Sequence, residues 1–236
     1  MADATWKVAE HEPLVSVADG VWTVNAKLNA LPIGRRMTIL RQSTGELLVH
    51  SAVACDEETM LAIERLGPIG CIIVPSAAHT IDAPRYAARY PEARVLCPRP
   101  VRRLVEKVLP VHGDFSELPQ GDAVVVEGLD GVPGEGVFIH TDAAGDVTLV
   151  FNDALMNLPD RLPGFKGWLT KMMGSTGGLK VTGIARRFIV KDAKAYGAHL
   201  RRLAEIPRFE RIVVSHGELI LGGGAAALRP VAETLG

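Results

Sequence analysis

Cysteine is scarce in this chain, and the little there is shows no pairing pattern. The three residues Cys55, Cys71 and Cys97 are an odd number with no CxxC spacing, which excludes a disulfide framework and a thiolate zinc cluster. Cys71 opens an apolar run and reads as core, whereas Cys97 closes the run ARVLC and reads as lying nearer the surface. No activating base stands beside any of them, so a cysteine nucleophile is not expected. Cationic runs are also missing. No run of Lys or Arg exceeds two residues and the formal net charge is −1, so nothing draws a polyanion from a distance and nucleic acid is not an expected partner. Long hydrophobic runs are absent as well: no apolar segment approaches the roughly 20 residues that cross a bilayer. The start MADATWKVAEHEP has neither the basic opening nor the apolar stretch of a signal peptide. The expectation is a cytoplasmic protein with no membrane partner.

What is present suffices for a large core. The chain is 47% hydrophobic and 22% charged, an ordinary globular balance, and 236 residues fit a single domain spanning 1–236. The runs GVWTVNAKL, RMTILRQS and ELLVH read as consecutive strands, with Ser43-Thr44-Gly45 as a hairpin connection. DEETMLAIERLG reads as a helix that starts acidic and stops at Gly67-Pro68. Strand and helix then alternate through CIIVP, APRYAARYP, ARVLCP and PVRRLVEKVLP. From residue 122 the pattern returns to strands, in AVVVEGL, GVFIH and VTLVFND. DAKAYGAHLRRLAEI is a helix starting at Asp192, RIVVSH a strand, and GGGAAALRPVAETL a closing helix. Residues 158–190 mix Pro and Gly with Trp168, Leu169, Met172 and Met173 at helical spacing, which reads as a helical insertion packed on a sheet or, alternatively, as a lid or partner surface that could support a homodimer.

Several polar residues directly follow apolar runs: His50 after ELLV, His79 after CIIVPSAA, Asp153 after VTLVFN and His216 after RIVVS. Strand ends are where loops from different strands can converge, and two imidazoles with a carboxylate can hold a divalent metal. His140, before Thr141-Asp142, reads as a hydrogen-bonded residue of a sheet, and His11, His112 and His199 are assigned no role. Ser51 beside His50 does not read as a nucleophile and base, because neighbours on a strand point to opposite faces. Gly222-Gly223-Gly224 reads as a tight turn.

The segments PIGRRMTILR, ELLVHSAVACDEE, IIVPSAAHTIDAPRYAARYPEARVLCP, VTLVFNDALMN and IVVSHGELI, in this order, resemble the metallo-β-lactamase fold superfamily. The resemblance covers most of the chain and implies an α/β fold of α+β type, an αββα four-layer sandwich with a metal site at one edge between two sheets. It also marks a departure. The superfamily's HxHxDH motif falls on Pro75 to Thr80, so Pro75 and Ala77 stand where two histidines belong, and His79 takes the place of the aspartate. The next histidine falls at Glu135 in Val132-Pro133-Gly134-Glu135, the bridging aspartate matches Asp153, the final histidine matches His216, and His50 stands for the acid of the early strand end.

On this register the resemblance implies one divalent metal held by His79, Asp153 and His216, with Zn²⁺ the best match and Fe²⁺ or Mn²⁺ compatible. A shift around His79 would bring Asp82 into the site instead. His50 and Glu135 are the candidates for a catalytic base, and with His140 for groups supporting the site or touching substrate. The implied activity is hydrolysis of a small-molecule ester, lactone, thioester or phosphoester. The alternatives are a metal-free, non-catalytic relative that binds a small molecule or protein partner, and an iron-dependent redox protein.

Overall fold

In a computed structural model, described for residues 4–28, 33–118 and 123–236, the chain divides into two compact units, Met1–Lys27 with Arg36–Val126 and Leu28–Arg35 with Glu127–Gly236. Each has its own sheet and its own apolar core.

The first sheet runs in chain order through seven strands: β1 (Val15–Ala18), β2 (Val21–Lys27), β3 (Gly34–Arg41), β4 (Leu47–His50), β5 (Ile69–Ile73), β6 (Arg94–Cys97) and β7 (Gly113–Asp114). β3 and β4 form the antiparallel hairpin expected at residues 43–45, with Gly45 at φ 86° supplying the left-handed turn position. From β4 to β7 every neighbour is parallel. Parallel neighbours need crossovers. The first is α1 (Glu57–Glu64), which starts where Asp56 caps the Thr59 amide at 2.9 Å and places Met60 and Ile63 in the core with Ile39, Val49 and Ile72. The second is α2 (Ala83–Arg89). Between β6 and β7 the expected helix shortens to a 3₁₀ turn at Arg99–Val101 and α3 (Arg102–Val105).

The second sheet has the order β13-β10-β9-β8, with β8 at Val124–Gly128, β9 at Gly136–Thr141, β10 at Val147–Phe151 and β13 at Phe209–Val214. β10 is antiparallel to β9 and parallel to β13. Residues 152–208 make the crossover between these parallel strands, through a small ribbon of β11 (Met156–Leu158) and β12 (Gly178–Lys180), α4 (Gly164–Met172), one π-helical turn at Ala185–Ile189 and α5 (Ala193–Ala204). α6 (Gly224–Glu233) closes the chain. α5 and α6 bury Tyr196, Leu200, Leu203, Leu228 and Val231 in one core with Leu149, Phe151, Ile212 and Val214.

Two sequence expectations change. The helix in 158–190 exists, but its only buried residue is Gly167, so its apolar side chains do not pack on a sheet. Cys97 lies fully buried rather than near the surface. Burial pushes its thiol and that of Cys71 up to about 11, so neither is a thiolate at neutral pH. Both strands take their apolar partners from neighbours on each side, which buries the last residue of ARVLC as fully as its centre.

Candidate metal centre

In the second unit, strand direction decides which residues meet. β9 begins where β10 ends, because the two are antiparallel, and β13 ends beside β10, because those are parallel, with Phe151 opposite Val214. Glu135 just before β9, Asp153 just after β10 and His216 just after β13 are therefore delivered to the same end of one sheet. His140, opposite Thr148, sits about three residues back along the ladder, roughly 10 Å from that end at about 3.3 Å per residue. The sheet does not bring it to the site.

His216 Nε2 stands 3.1 Å from Asp153 Oδ1. Its other nitrogen, Nδ1, stands 2.6 Å from the Gly34 carbonyl oxygen. A carbonyl can only accept, so Nδ1 carries the hydrogen and the neutral ring presents a lone pair at Nε2. That lone pair faces a carboxylate oxygen, and two acceptors at this distance require a positive charge between or upon them. A proton on Nε2 or a bound cation meets the requirement, and an imidazole fixed through Nδ1 to a backbone carbonyl is the usual state of a metal-binding histidine. The donor set fits a divalent cation. The loop holding His216 is clamped from behind: the Asn157 amide donates to the His216 carbonyl at 3.2 Å and the Glu218 amide to the Asn157 carbonyl at 2.8 Å. Gly217, at φ 103°, allows this, since a Cβ there would collide with the Asn157 carbonyl oxygen.

Glu135 is buried beside this pair. Its Oε1 accepts from Asn152 Nδ2 at 3.1 Å and its Oε2 from the Ala154 amide at 2.8 Å, so the carboxyl grips the residues on both sides of Asp153. Asn152 Oδ1 in turn accepts from Ser215 Oγ at 2.9 Å, linking the ends of β10 and β13. Burial, and then the charge of Asp153, raise the Glu135 carboxyl well above the usual carboxylate range.

In the first unit the parallel ladder aligns His50 with Ile73, so the ends of β4 and β5 are adjacent. His50 is fully buried. Ser51 follows it in a left-handed backbone conformation, φ 58°, a strained position for a residue other than glycine. That twist turns the Ser51 hydroxyl toward the loop after β5, where it lies 2.7 Å from His79 Nδ1. Ser51 is thus partnered with His79 and not with His50. The contact engages Nδ1 of a half-buried ring. Asp82, the alternative to His79, is committed elsewhere: Oδ2 accepts from the Ala54 amide at 3.1 Å and Oδ1 pairs with Arg85 at 2.6 Å.

The histidines assigned no role do structural work. His11 Nε2 accepts from the Asp56 amide, His112 Nδ1 from the Val95 amide and His199 Nδ1 from the Asp130 amide. Sequence reasoning missed Gly34, for which no local signal exists, and the true partner of Ser51, which only its positive φ reveals.

A family model described as a domain of unknown function, DUF4336, matches residues 18–100. No curated protein matches the chain. Three solved structures are similar in fold. A metallo-β-lactamase from Erythrobacter litoralis with β-mercaptoethanol in the active site shares 12% identity, with 94% of this chain and 96% of that one covered, at a TM-score of 0.60. VMB-1 at pH 5.5 shares 13% over 97% of this chain and 99% of that one, at 0.62. FIM-1 from Pseudomonas aeruginosa, a metallo-β-lactamase in its mono-zinc form, shares 13% over 97% of each, at 0.63. This chain has the metallo-β-lactamase fold.

Proposed function

We propose that a chain with this fold and this reduced set of polar strand ends is a metal-dependent hydrolase, binding one divalent ion through His79, Asp153 and His216. The observation that carries the reading is the orientation of His216, whose Nδ1 is tied to Gly34 so that Nε2 faces the Asp153 carboxylate at 3.1 Å. Zn²⁺ suits two imidazoles and a carboxylate with positions left open, and Fe²⁺ or Mn²⁺ accept the same set. The mono-zinc form of FIM-1 supports a single ion on this fold. Such an ion supplies a Lewis acid for a carbonyl or phosphoryl oxygen and brings the acidity of water close to neutral pH.

The chain's own groups have separate tasks. Gly34 and Ser51 orient the two imidazoles through their Nδ1 atoms. Glu135, holding Asn152 and Ala154, aims the Asp153 carboxylate. His50 lies fully buried at the end of β4. The substrate class is a small-molecule ester, lactone, thioester or phosphoester.

Pro75 and Ala77 favour a second reading, a metal-free relative that binds a small molecule, because they remove two of the superfamily's histidines. Elemental analysis of protein purified without chelator, beside His216→Ala, separates the two. Near one equivalent of zinc, iron or manganese that vanishes in the variant supports the hydrolase and justifies an ester and phosphoester screen. No metal in either protein, even after incubation with each ion, rejects it in favour of the metal-free reading.

A further inference from the structure

α4 presents an apolar stripe to solvent. Phe165, Trp168, Leu169 and Met172 occupy positions i, i+3, i+4 and i+7, one face of a helix. They are 75%, 55%, 45% and 67% exposed. The Phe165 and Trp168 rings stack at 5.6 Å, a preassembled aromatic pair in water. The opposite face carries Gly167, the one buried residue of the helix, where a Cβ would collide with the Leu162 carbonyl oxygen. The helix is therefore seated on its glycine and its apolar stripe points directly outward. At about 100° per residue, Lys166 and Lys171 flank the stripe on its two sides. Next to the helix end, where a Cβ on Gly183 would meet the Met173 carbonyl oxygen, the π-helical turn adds Phe188, 63% exposed, between Arg187 and the Lys191 ammonium that donates to its carbonyl.

Charge says what this face fits. Residues 158–191 hold seven Lys and Arg against one acid, Asp160, in a chain whose formal net charge is −1. The whole-chain balance, which gives no long-range pull on a polyanion, hides this local excess. A second copy of the same face would bring like charge onto like charge, which disfavours a symmetric dimer here. An anionic bilayer surface offers what the face lacks: negative headgroups for the flanking cations and an acyl boundary for Trp, Phe, Leu and Met. No helix among the described residues is long and apolar enough to cross a membrane, so the contact would lie in the interface plane.

We propose that α4 and the adjoining π-helical turn form a docking surface for anionic lipid bilayers. The proposal does not depend on the metal reading, and its test does not use turnover. The full chain is titrated with vesicles of phosphatidylcholine alone and of phosphatidylcholine with phosphatidylglycerol, followed by co-sedimentation and by Trp emission. The expected result is binding at least about tenfold tighter to the anionic vesicles, weakened by salt, with a blue-shifted Trp signal that Trp168→Ser abolishes. The K166E/K171E double variant, altered at exposed positions and giving up the exposed Lys171–Asp160 pair at 3.3 Å, is expected to lose at least about tenfold in affinity with little change in the thermal midpoint. Equal binding to both vesicles, binding to neither, or a concentration-dependent dimer that shields Trp168 from acrylamide would each overturn the proposal.

Discussion

The two units hold their site residues in different ways. In the second, Asp153 and His216 stand two residues beyond the strands that carry them, β10 and β13, whose ladder register and the Asn157 to Gly217 clamp fix both loops. In the first, His79 stands six residues beyond β5, on a loop where its Nδ1 lies 2.7 Å from the Ser51 hydroxyl. A strand-end residue inherits its position from the sheet, whereas a loop residue depends on a particular hydrogen bond. If these residues hold an ion as proposed, the second unit should tolerate little change at Asp153 and His216, and the first should be adjustable at His79.

The largest effect that would sharpen this contrast is at His216. His216→Ala is expected to lower metal affinity by well over about 100-fold, beyond the range of a supporting residue, as read by competition with a chromophoric chelator. Gly217→Ala comes next, because the new Cβ meets the Asn157 backbone and the residue keeps a positive φ; a loss of about 3 kcal/mol in urea unfolding is expected. Ser51→Ala should cost roughly 10- to 100-fold in metal affinity with little change in unfolding free energy, and Ser51→Thr should restore part of it. If Ser51→Ala proves as damaging as His216→Ala, the contrast between the units is broken.

The smallest effect is a slope. The folded-state proton affinity of Glu135 is raised, to about 8, above the unfolded value of about 4.3. Between those two values the folded state binds the proton that the unfolded state has released, so the stability of metal-free protein falls as pH rises from about 4.3 towards 8. Glu135→Gln is expected to flatten that part of the curve, measured by denaturant midpoints at a series of pH values. An unchanged slope would show that Glu135 does not carry the proton.

The sequence made the strand-borne half of the site legible and left the loop-borne half ambiguous. VTLVFND and RIVVSH announce buried strands by their largely β-branched apolar runs, so Asp153 and His216 could be placed at strand ends. PSAAHTID carries no periodicity and leaves His79 and Asp82 open, and in the structure the Ala54 amide and Arg85 engage Asp82. Short elements were missed: β7, β11 and β12 have three residues or fewer, too few for a pattern, and β1 has two of its four residues exposed. α4 and α5 show a further limit. Both carry an apolar stripe at helical spacing, yet α5 buries Tyr196, Leu200 and Leu203 while α4 leaves its stripe in water. Periodicity reports that a face is apolar and is silent on what covers it.

The hydrogen bond from His216 to Gly34 joins residues 182 positions apart. During synthesis the chain passes Gly34 well before it reaches His216, so a nascent or truncated chain can form the ladder of β3 and β4 long before this imidazole exists to be oriented. On the proposed reading, an ion held through this imidazole can bind only once β13 has been made, and cleavage ahead of β13 would abolish that binding.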